Sequence, residues 1–300
     1  MTTTNGLLLV DKPRAMTSHD VVARVRLILN ERKVGHAGTL DPMATGLLIV
    51  AVGPSTRLLR FAQAEVKRYS GTVRLGVATD SLDADGVVME ERPVPAIAPA
   101  QMTSAAQHMT GAQQQVPPMV SALKSGGQRL HHLARQGIEV ERAARGITIR
   151  AFGLTPTNDP ALWDFDVECT TGTYVRVLLS DLATSLGTVG HLSALRRLSS
   201  GPHDVTEAVT LEELSASVIR GEPVLRPPRS FVNHLESVVL NAHEERRVRM
   251  GQKLHRGDGT DAREVAALTP AGELIGILLG RPKDWKPDVI LPLEHPHECG

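Results

Sequence analysis

Apolar residues recur along this chain with two periods, one close to two and one close to 3.6, and the change between them marks out the elements. Leu7 to Val10 is an unbroken apolar run of strand length. From Ser18, read as a cap, Val21, Val22, Val25, Ile28 and Leu29 recur at helical spacing with Arg24 on another face, which predicts an amphipathic helix. A glycine-bearing loop, GHAGTLDPMATG, leads into a second apolar run, LLIVAV. Ser55 opens a predicted helix through Leu58, Leu59 and Ala62. Lys67 to Val77 reads as a strand with Tyr69, Val73, Leu75 and Val77 mostly on one parity, and Asp83–Gly86 as a turn. A helix near Pro99–Met109 ends at Gly111.

The second half continues in the same terms. Gln115 to Glu141 is polar, basic and glycine-bearing, with a short helix expected at Gln128–Gln136, and it interrupts two strand-like regions as an excursion from the core. Trp163, Phe165, Val167 and Cys169 alternate with Asp164, Asp166 and Glu168, the pattern of a half-buried strand. Gly172 and Thr173 turn it into a helix whose apolar face is Val175, Leu178, Leu179, Leu182 and Leu186, closed by Gly187. Leu211–Arg220 is another helix. After Arg226-Pro-Pro-Arg229, short β-like segments punctuated by glycines predict a small C-terminal β-domain.

Composition narrows the class. With 300 residues, 41% hydrophobic and 22% charged, the chain is an ordinary globular protein with room for one large domain or two. Two cysteines, Cys169 and Cys299, make no disulfide framework, and a reducing compartment is expected. The N-terminus lacks the features of a signal peptide, and the longest apolar stretch is too short to cross a bilayer, so a cytoplasmic protein with no membrane partner is expected. Formal net charge is zero, but residues 1–74 hold eleven Lys/Arg against five acids, while residues 201–300 are net acidic. Local positive charge of this kind suits phosphate contacts, although solvated arginines give the same count.

The loop Gly35–Gly46 carries the candidate chemistry: His36, Asp41 and three glycines suited to tight turns or close approach to a ligand. No Gly-Lys-Ser/Thr follows, which excludes a P-loop, and no Gly-x-Ser-x-Gly occurs, which argues against a serine hydrolase. Taken alone, Asp41-Pro42 is an ordinary turn initiator. His295, His297 and Cys299 lie in a terminal tail without a partner cluster, so no metal site is expected.

The loop does not stand alone. GHAGTLDPMATGLL resembles the signature of the bacterial tRNA pseudouridine-55 synthases, the TruB type. In order, so do LLLVDKPRAMTSHDVV, KRYSGTVRLGVATDSLDADG, QVPPMVSALKSGGQRLHHLARQGIEV and CTTGTYVRVLLSDLATSLGTVGHLSALRRL, together spanning about residues 7–198. The last hundred residues match loosely. The resemblance implies an α+β fold: a catalytic domain over residues 1–225 with a mixed, largely antiparallel sheet, a thumb-like RNA-binding insertion at about 113–147, and a PUA-like barrel at 231–296. It implies isomerisation of the uridine at position 55 in the T-arm of tRNA, by an enzyme that needs no cofactor and no protein partner and acts as a monomer. A guide-RNA-dependent synthase is the rival, disfavoured because the chain opens on the catalytic segment and keeps the insertion. A non-catalytic RNA-folding factor on the same scaffold is a second.

The resemblance also nominates residues. Asp41 is the catalytic carboxylate and Arg176 its ion-pair partner. A cation in the first turn of the 174–186 helix opposes the helix dipole, which makes sense where a fixed anion lies near. Tyr69 would stack on an everted uracil, His36 would fill the space that base leaves, and Tyr174 would pack the pocket wall. Lys12 and Leu195 would line the pocket, and Asp80 would support its hydrogen bonds or merely cap a turn. Val120 and His131 stand where the family commonly has tyrosines.

Overall fold

The computed structural model describes residues 5–62, 66–119, 124–125, 128–129, 138, 140–256 and 262–293. In chain order the strands are β1 (Gly6–Lys12), β2 (Val34–Ala37), β3 (Thr45–Val52), β4 (Val66–Leu75), β5 (Val77–Thr79), β6 (Val88–Glu91), β7 (Gly111–Gln115), β8 (Lys124–Ser125), β9 (Gln128–Arg129), β10 (Arg145–Pro156), β11 (Leu162–Thr170), β12 (Gly190–Ser200) and β13 (His203–Asp204). The C-terminal strands are β14 (Ser237–Val239), β15 (Leu254–His255), β16 (Glu264–Leu268), β17 (Leu274–Gly280) and β18 (Asp284–Ile290). Among the described residues, the α-helices are α1 (Ser18–Leu29), α2 (Pro99–His108), α3 (Val175–Ser185), α4 (Leu211–Ile219) and α5 (Ala242–Arg249).

Nine strands form one mixed sheet in the order β1-β3-β12-β4-β11-β10-β7, with β2 added to β3 and β13 to β12. All its ladders are antiparallel except one, where β3 and β12 run parallel through only two residue pairs, Arg196↔Thr45 and Arg197↔Gly46. That short seam joins the two antiparallel halves. The loop before β3, which carries Asp41, opens directly onto it.

Burial explains the patterns. β1 and β3 are covered on both faces, so they read as continuous apolar runs rather than alternating ones. Leu8, Val10, Leu48, Val50 and Val52 pack on α1 and α4 through Val21, Val22, Val25, Leu211 and Leu214. Leu7, Leu9, Leu47, Ile49 and Ala51 face the other way. On β11 the alternation is clean, with Trp163, Phe165, Val167 and Cys169 buried in the core that also holds Leu178, Leu179 and Leu182 of α3.

The C-terminal strands form a second, curled sheet of PUA-like kind, ordered β14-β16-β17-β18-β15. Its inner residues Ala266, Leu268, Ile277 and Val289, with Phe231 and Val232 ahead of it and Leu291 after it, share one core with Leu7, Leu9, Leu47 and Ile49 of the large sheet.

Four sequence expectations change. The cap of α1 is Thr17, whose side chain accepts from the Asp20 N–H while the Asp20 carboxylate accepts from the Thr17 N–H; Ser18 is buried inside the first turn. The segment opened by Ser55 is a 3₁₀ helix, Gly53–Leu58, and the Ser55 N–H and hydroxyl both donate to the Asn5 side chain. Gln128–Arg129 is strand rather than helix, and the remainder of the expected Gln128–Gln136 helix lies outside the described residues, as do Val120, His131, His295, His297 and Cys299. Helix α5 was not expected; only Val248 in it is buried, so it has no apolar stripe to read, but Asn241 and Glu244 cap it.

Candidate active site

The Asp41 loop is shaped by where a side chain cannot fit. Gly46 has φ +98°, and a Cβ there would stand 2.3 Å from the Arg197 carbonyl oxygen, so only glycine lets β3 meet β12. The loop is then braced from the N-terminal side. The Ser18 hydroxyl accepts from the Leu40 N–H at 2.9 Å and donates to the Leu40 carbonyl at 3.2 Å. The Pro42 carbonyl accepts from the Ala15 N–H at 2.9 Å and from Lys12 Nζ at 3.3 Å. Lys12 also donates to the Pro13 and Met16 carbonyls at 2.9 and 2.6 Å. Its ammonium is wholly buried and its three protons serve the loop frame, so Lys12 reaches the site through Pro42. Burial pulls Lys12 down to about 8.

Helix α3 brings Arg176 across to meet Asp41. Nε lies 3.2 Å from Oδ2 and Nη2 3.4 Å from Oδ1, the two-pronged arrangement a guanidinium favours. The opposite side of the guanidinium is also held: Nη1 donates to the Ser81 carbonyl at 2.8 Å and lies 3.2 Å from Asp83 Oδ2. Exposure separates the two carboxylates. The side chains of Arg176 and Asp83 are 5% and 6% exposed, whereas that of Asp41 is 38% exposed. Asp41 is therefore the open end of a buried charged triad, the end a ligand can touch. Burial raises its carboxyl above the ordinary value and Asp83 adds to the rise, while Arg176 and Lys12 oppose it.

Tyr69 and Arg197 are register partners on β4 and β12, which places their side chains together on one face. Arg197 is 1% exposed; Nε donates to the Leu47 carbonyl at 2.7 Å and Nη2 to the Gly38 carbonyl at 2.9 Å, which holds its charge beside the Tyr69 phenol. One side chain thus ties both ends of the Asp41 loop together next to the tyrosine. Burial raises the Tyr69 phenol above its usual value, with Arg197 opposing. Leu195 packs in the same cluster as Tyr69, Leu40, Met43 and Ala44.

The other expected residues divide. His36 stands on β2 with its ring edge-on to His19 at 5.4 Å; its Nδ1 is buried without a hydrogen-bond partner, and burial lowers its basicity. Tyr174 is half-buried at the N-terminus of α3, where Gln115 clamps its backbone: the Tyr174 N–H donates to Oε1 at 2.8 Å and Nε2 donates to its carbonyl at 3.2 Å. Asp80 is exposed and caps its own turn by accepting the Val87 N–H at 2.9 Å. The carboxylate that reaches Arg176 from this turn is Asp83, because Leu82 takes a left-handed conformation (φ 63°) and the chain re-enters the sheet beside Leu192. Asp83, Arg197, Ser18 and Gln115 were not foreseen. Among the described residues no group of three His, Cys, Asp or Glu side chains could hold a metal, and no helix is long and apolar enough to cross a membrane.

Comparison with known proteins accounts for this geometry. Residues 26–175 match the N-terminal domain of the TruB family of pseudouridylate synthases, and residues 176–240 match the tRNA pseudouridylate synthase B C-terminal domain. The tRNA pseudouridine synthase B of Thermobifida fusca is 42% identical over 294 residues, covering 95% of this chain and 98% of that one. Its counterpart from Opitutus terrae is 48% identical over 212 residues, covering 71% and 88%. A chain in the crystal structure of a Cbf5-Nop10-Gar1 complex superposes with a TM-score of 0.71 at 26% identity, over 95% of this chain and 83% of that one. With a shared fold, matching sequence over nearly its whole length, and a carboxylate–guanidinium pair joining the loop before β3 to α3, the chain belongs to the TruB family of pseudouridylate synthases.

Proposed function

We propose that this enzyme converts the uridine at position 55 in the T-arm of tRNA to pseudouridine, with Asp41 acting on the sugar of an everted nucleotide. The observation that carries the reading is the triad: a buried Arg176, fixed by Asp83, presenting its other edge to the one carboxylate that is open. The reaction breaks the N1–C1′ bond, turns the uracil and joins C5 to C1′; C5 gives up its proton and N1 gains one. It is redox-neutral, so no organic cofactor or metal is called on. An ionised carboxylate is needed either to attack the sugar or to take a proton from it, and Arg176 favours that ionised state.

Eversion of the base from a stacked arm costs a few kcal/mol. Stacking on Tyr69 returns roughly 1–3 kcal/mol of it, with Leu195 closing the same wall. His36, a flat ring whose basicity burial lowers, fills the gap left in the arm, and Tyr174 packs the pocket wall. Residues 1–225 carry the chemistry, with the insertion at about 113–147 folding onto the arm, and residues 231–296 add a second RNA contact. The protein acts in the cytoplasm as a monomer, on tRNA alone.

The test is tritium release from [5-³H]uridine in a T-arm stem–loop, without guide RNA or partner protein. Wild type should release it; Asp41→Asn should bind the stem–loop with similar affinity and release none. Release by Asp41→Asn at near wild-type rate would overturn the site, and a requirement for a guide RNA would favour the guided reading.

A further inference from the structure

Two cations of the site stand side by side and, among the described residues, no carboxylate pairs with either. A Cβ placed on Gly38 would lie 3.3 Å from Lys67 Nζ and 3.4 Å from Arg197 Nη1, so both groups converge on the space over that glycine. Among the described residues, the hydrogen-bond partners of Arg197 are neutral, the Gly38 and Leu47 carbonyls. The hydrogen bond of Lys67 goes to the Thr171 hydroxyl, at 3.2 Å. Among the described residues, none of the ion pairs includes either cation.

The other group facing Lys67 is the Cys169 thiol on β11, which burial pushes up to about 11 and so keeps neutral. Burial and Arg197 together pull the Lys67 ammonium down to about 8. Holding two like charges together at a half-buried place is unfavourable unless an anion joins them. The place is accessible: Thr39, Thr171 and Gly172 are exposed, and Gly38, at φ +78°, has no side chain to fill the gap. Gly38 is three residues from Asp41, at most about 11 Å along the chain.

We infer that Lys67, with the Thr171 hydroxyl beside it and Arg197 behind it, seats one backbone phosphate flanking the nucleotide on which Asp41 acts. The inference rests on the proposed RNA-modifying reading of the site. The phosphodiester supplies the missing negative charge, and Arg197 links that contact to the loop bearing Asp41 and to Tyr69. Binding the phosphate favours the charged lysine, so affinity falls as pH rises past about 8, where the free protein's Lys67 loses its proton.

Affinity for the T-arm stem–loop, measured in an Asp41→Asn background across salt and pH, tests this. Lys67→Met should weaken binding about tenfold and make the plot of log Kd against log salt shallower by about 0.7, the value for one single-strand phosphate contact. Lys67→Arg should keep the slope but lose the decline in affinity between about pH 7.5 and pH 9.5. Neutral methylphosphonates at single positions around the target should reveal one that weakens binding, removes that pH dependence, and adds nothing to Lys67→Met. The pH arm of the scan needs no Lys67 variant and so decides the matter even if Lys67→Met fails to fold. An unchanged slope in Lys67→Met, or a scan with no such position, overturns the inference. So does competition by inorganic phosphate at Lys67 without any effective methylphosphonate, which would mark a site for free anions only. If wild type releases no tritium the proposed function falls; if it does while these arms are blank, only the Lys67 assignment falls.

Discussion

Asp83 holds the side of the Arg176 guanidinium turned away from Asp41, with its Oδ2 3.2 Å from Nη1 and both side chains almost wholly buried. A buried guanidinium with one carboxylate would be free to swing toward it; with two, its position is set by both. Asp83→Asn keeps the size and removes the charge. Arg176 then shifts toward Asp41, and misplacement of this order costs up to about 100-fold in rate. The expected result is a single-turnover rate about 10–100-fold below wild type with stem–loop affinity within about twofold. A variant with the wild-type rate would show that Asp83 only fills space.

The charges around Asp41 also set a pH dependence. Its carboxyl is raised above 3.8 by burial first, with Asp83 adding and Arg176 opposing. The ionised form does the chemistry, so the single-turnover rate rises with pH through an acidic limb. Arg176→Met removes the main opposing charge and should move that limb up by about one to three pH units. Stability runs the other way. A carboxyl whose folded pKa lies above its unfolded one contributes stability below the unfolded value and loses it as pH rises through the folded one. Asp41→Asn should therefore be more resistant to urea than wild type at pH 7, with the gain vanishing below about pH 4. A variant less stable than wild type at pH 7 would show that the ion pair outweighs burial.

How much of this was legible in the sequence depended on whether a feature is local. β1, β3, β11 and α3 are written in periods of two or 3.6 and in unbroken apolar runs, because each is buried on a definite face. The placement of Arg176 carried its own signal, a cation at the positive end of a helix. Asp83 did not, because Asp80, Asp83 and Asp85 sit in one turn, and the left-handed Leu82 together with the bridge of Asp83 to Leu192 selects the carboxylate that points inward. Arg197 was hidden for a similar reason. It follows Arg196, and a pair of arginines reads as solvated; strand parity sends Arg196 to Asp11 at the surface and Arg197 into the core. Ser18 reads as a cap from its position, yet its hydroxyl is spent on Leu40 and Thr17 does the capping.

Arg197 should be irreplaceable by lysine. Its guanidinium donates to the Gly38 and Leu47 carbonyls at once, and an ammonium without that planar fork cannot hold both in the same geometry. Arg197→Lys should fold, lose about 2–4 kcal/mol through buried acceptors left unpaired, and lose about 100-fold in single-turnover rate as the Asp41 loop loosens. Gly46→Ala attacks the same seam from the other strand. A methyl group 2.3 Å from the Arg197 carbonyl oxygen, on a backbone at φ +98°, forces β3 and β12 apart. Loss of activity with retained secondary structure is the expected circular dichroism and assay result for both. A fully active Arg197→Lys would show that the loop needs no such tie.

The last prediction concerns the C-terminal sheet. Its face and the outer face of β1 and β3 are one core, with Phe231, Ile277 and Leu291 packed among Leu7, Leu9, Leu47 and Ile49. The link into it is paired as well: the Leu7 N–H donates to the Arg226 carbonyl at 2.9 Å and the Arg226 N–H returns to Leu7 at 2.8 Å. Ending the chain at residue 225 would expose Leu7, Leu9, Leu47 and Ile49, each losing roughly 1.5–3 kcal/mol of burial, against a total stability of about 5–15 kcal/mol for a protein of ordinary size. The truncated chain should aggregate or unfold below 37 °C rather than survive as an independent catalytic unit. In the full chain, Phe231→Ala should cost about 3–5 kcal/mol and lower one common melting transition. Two separate transitions, with only the second displaced, would show instead that the sheets fold independently and that the shared core contributes little to either.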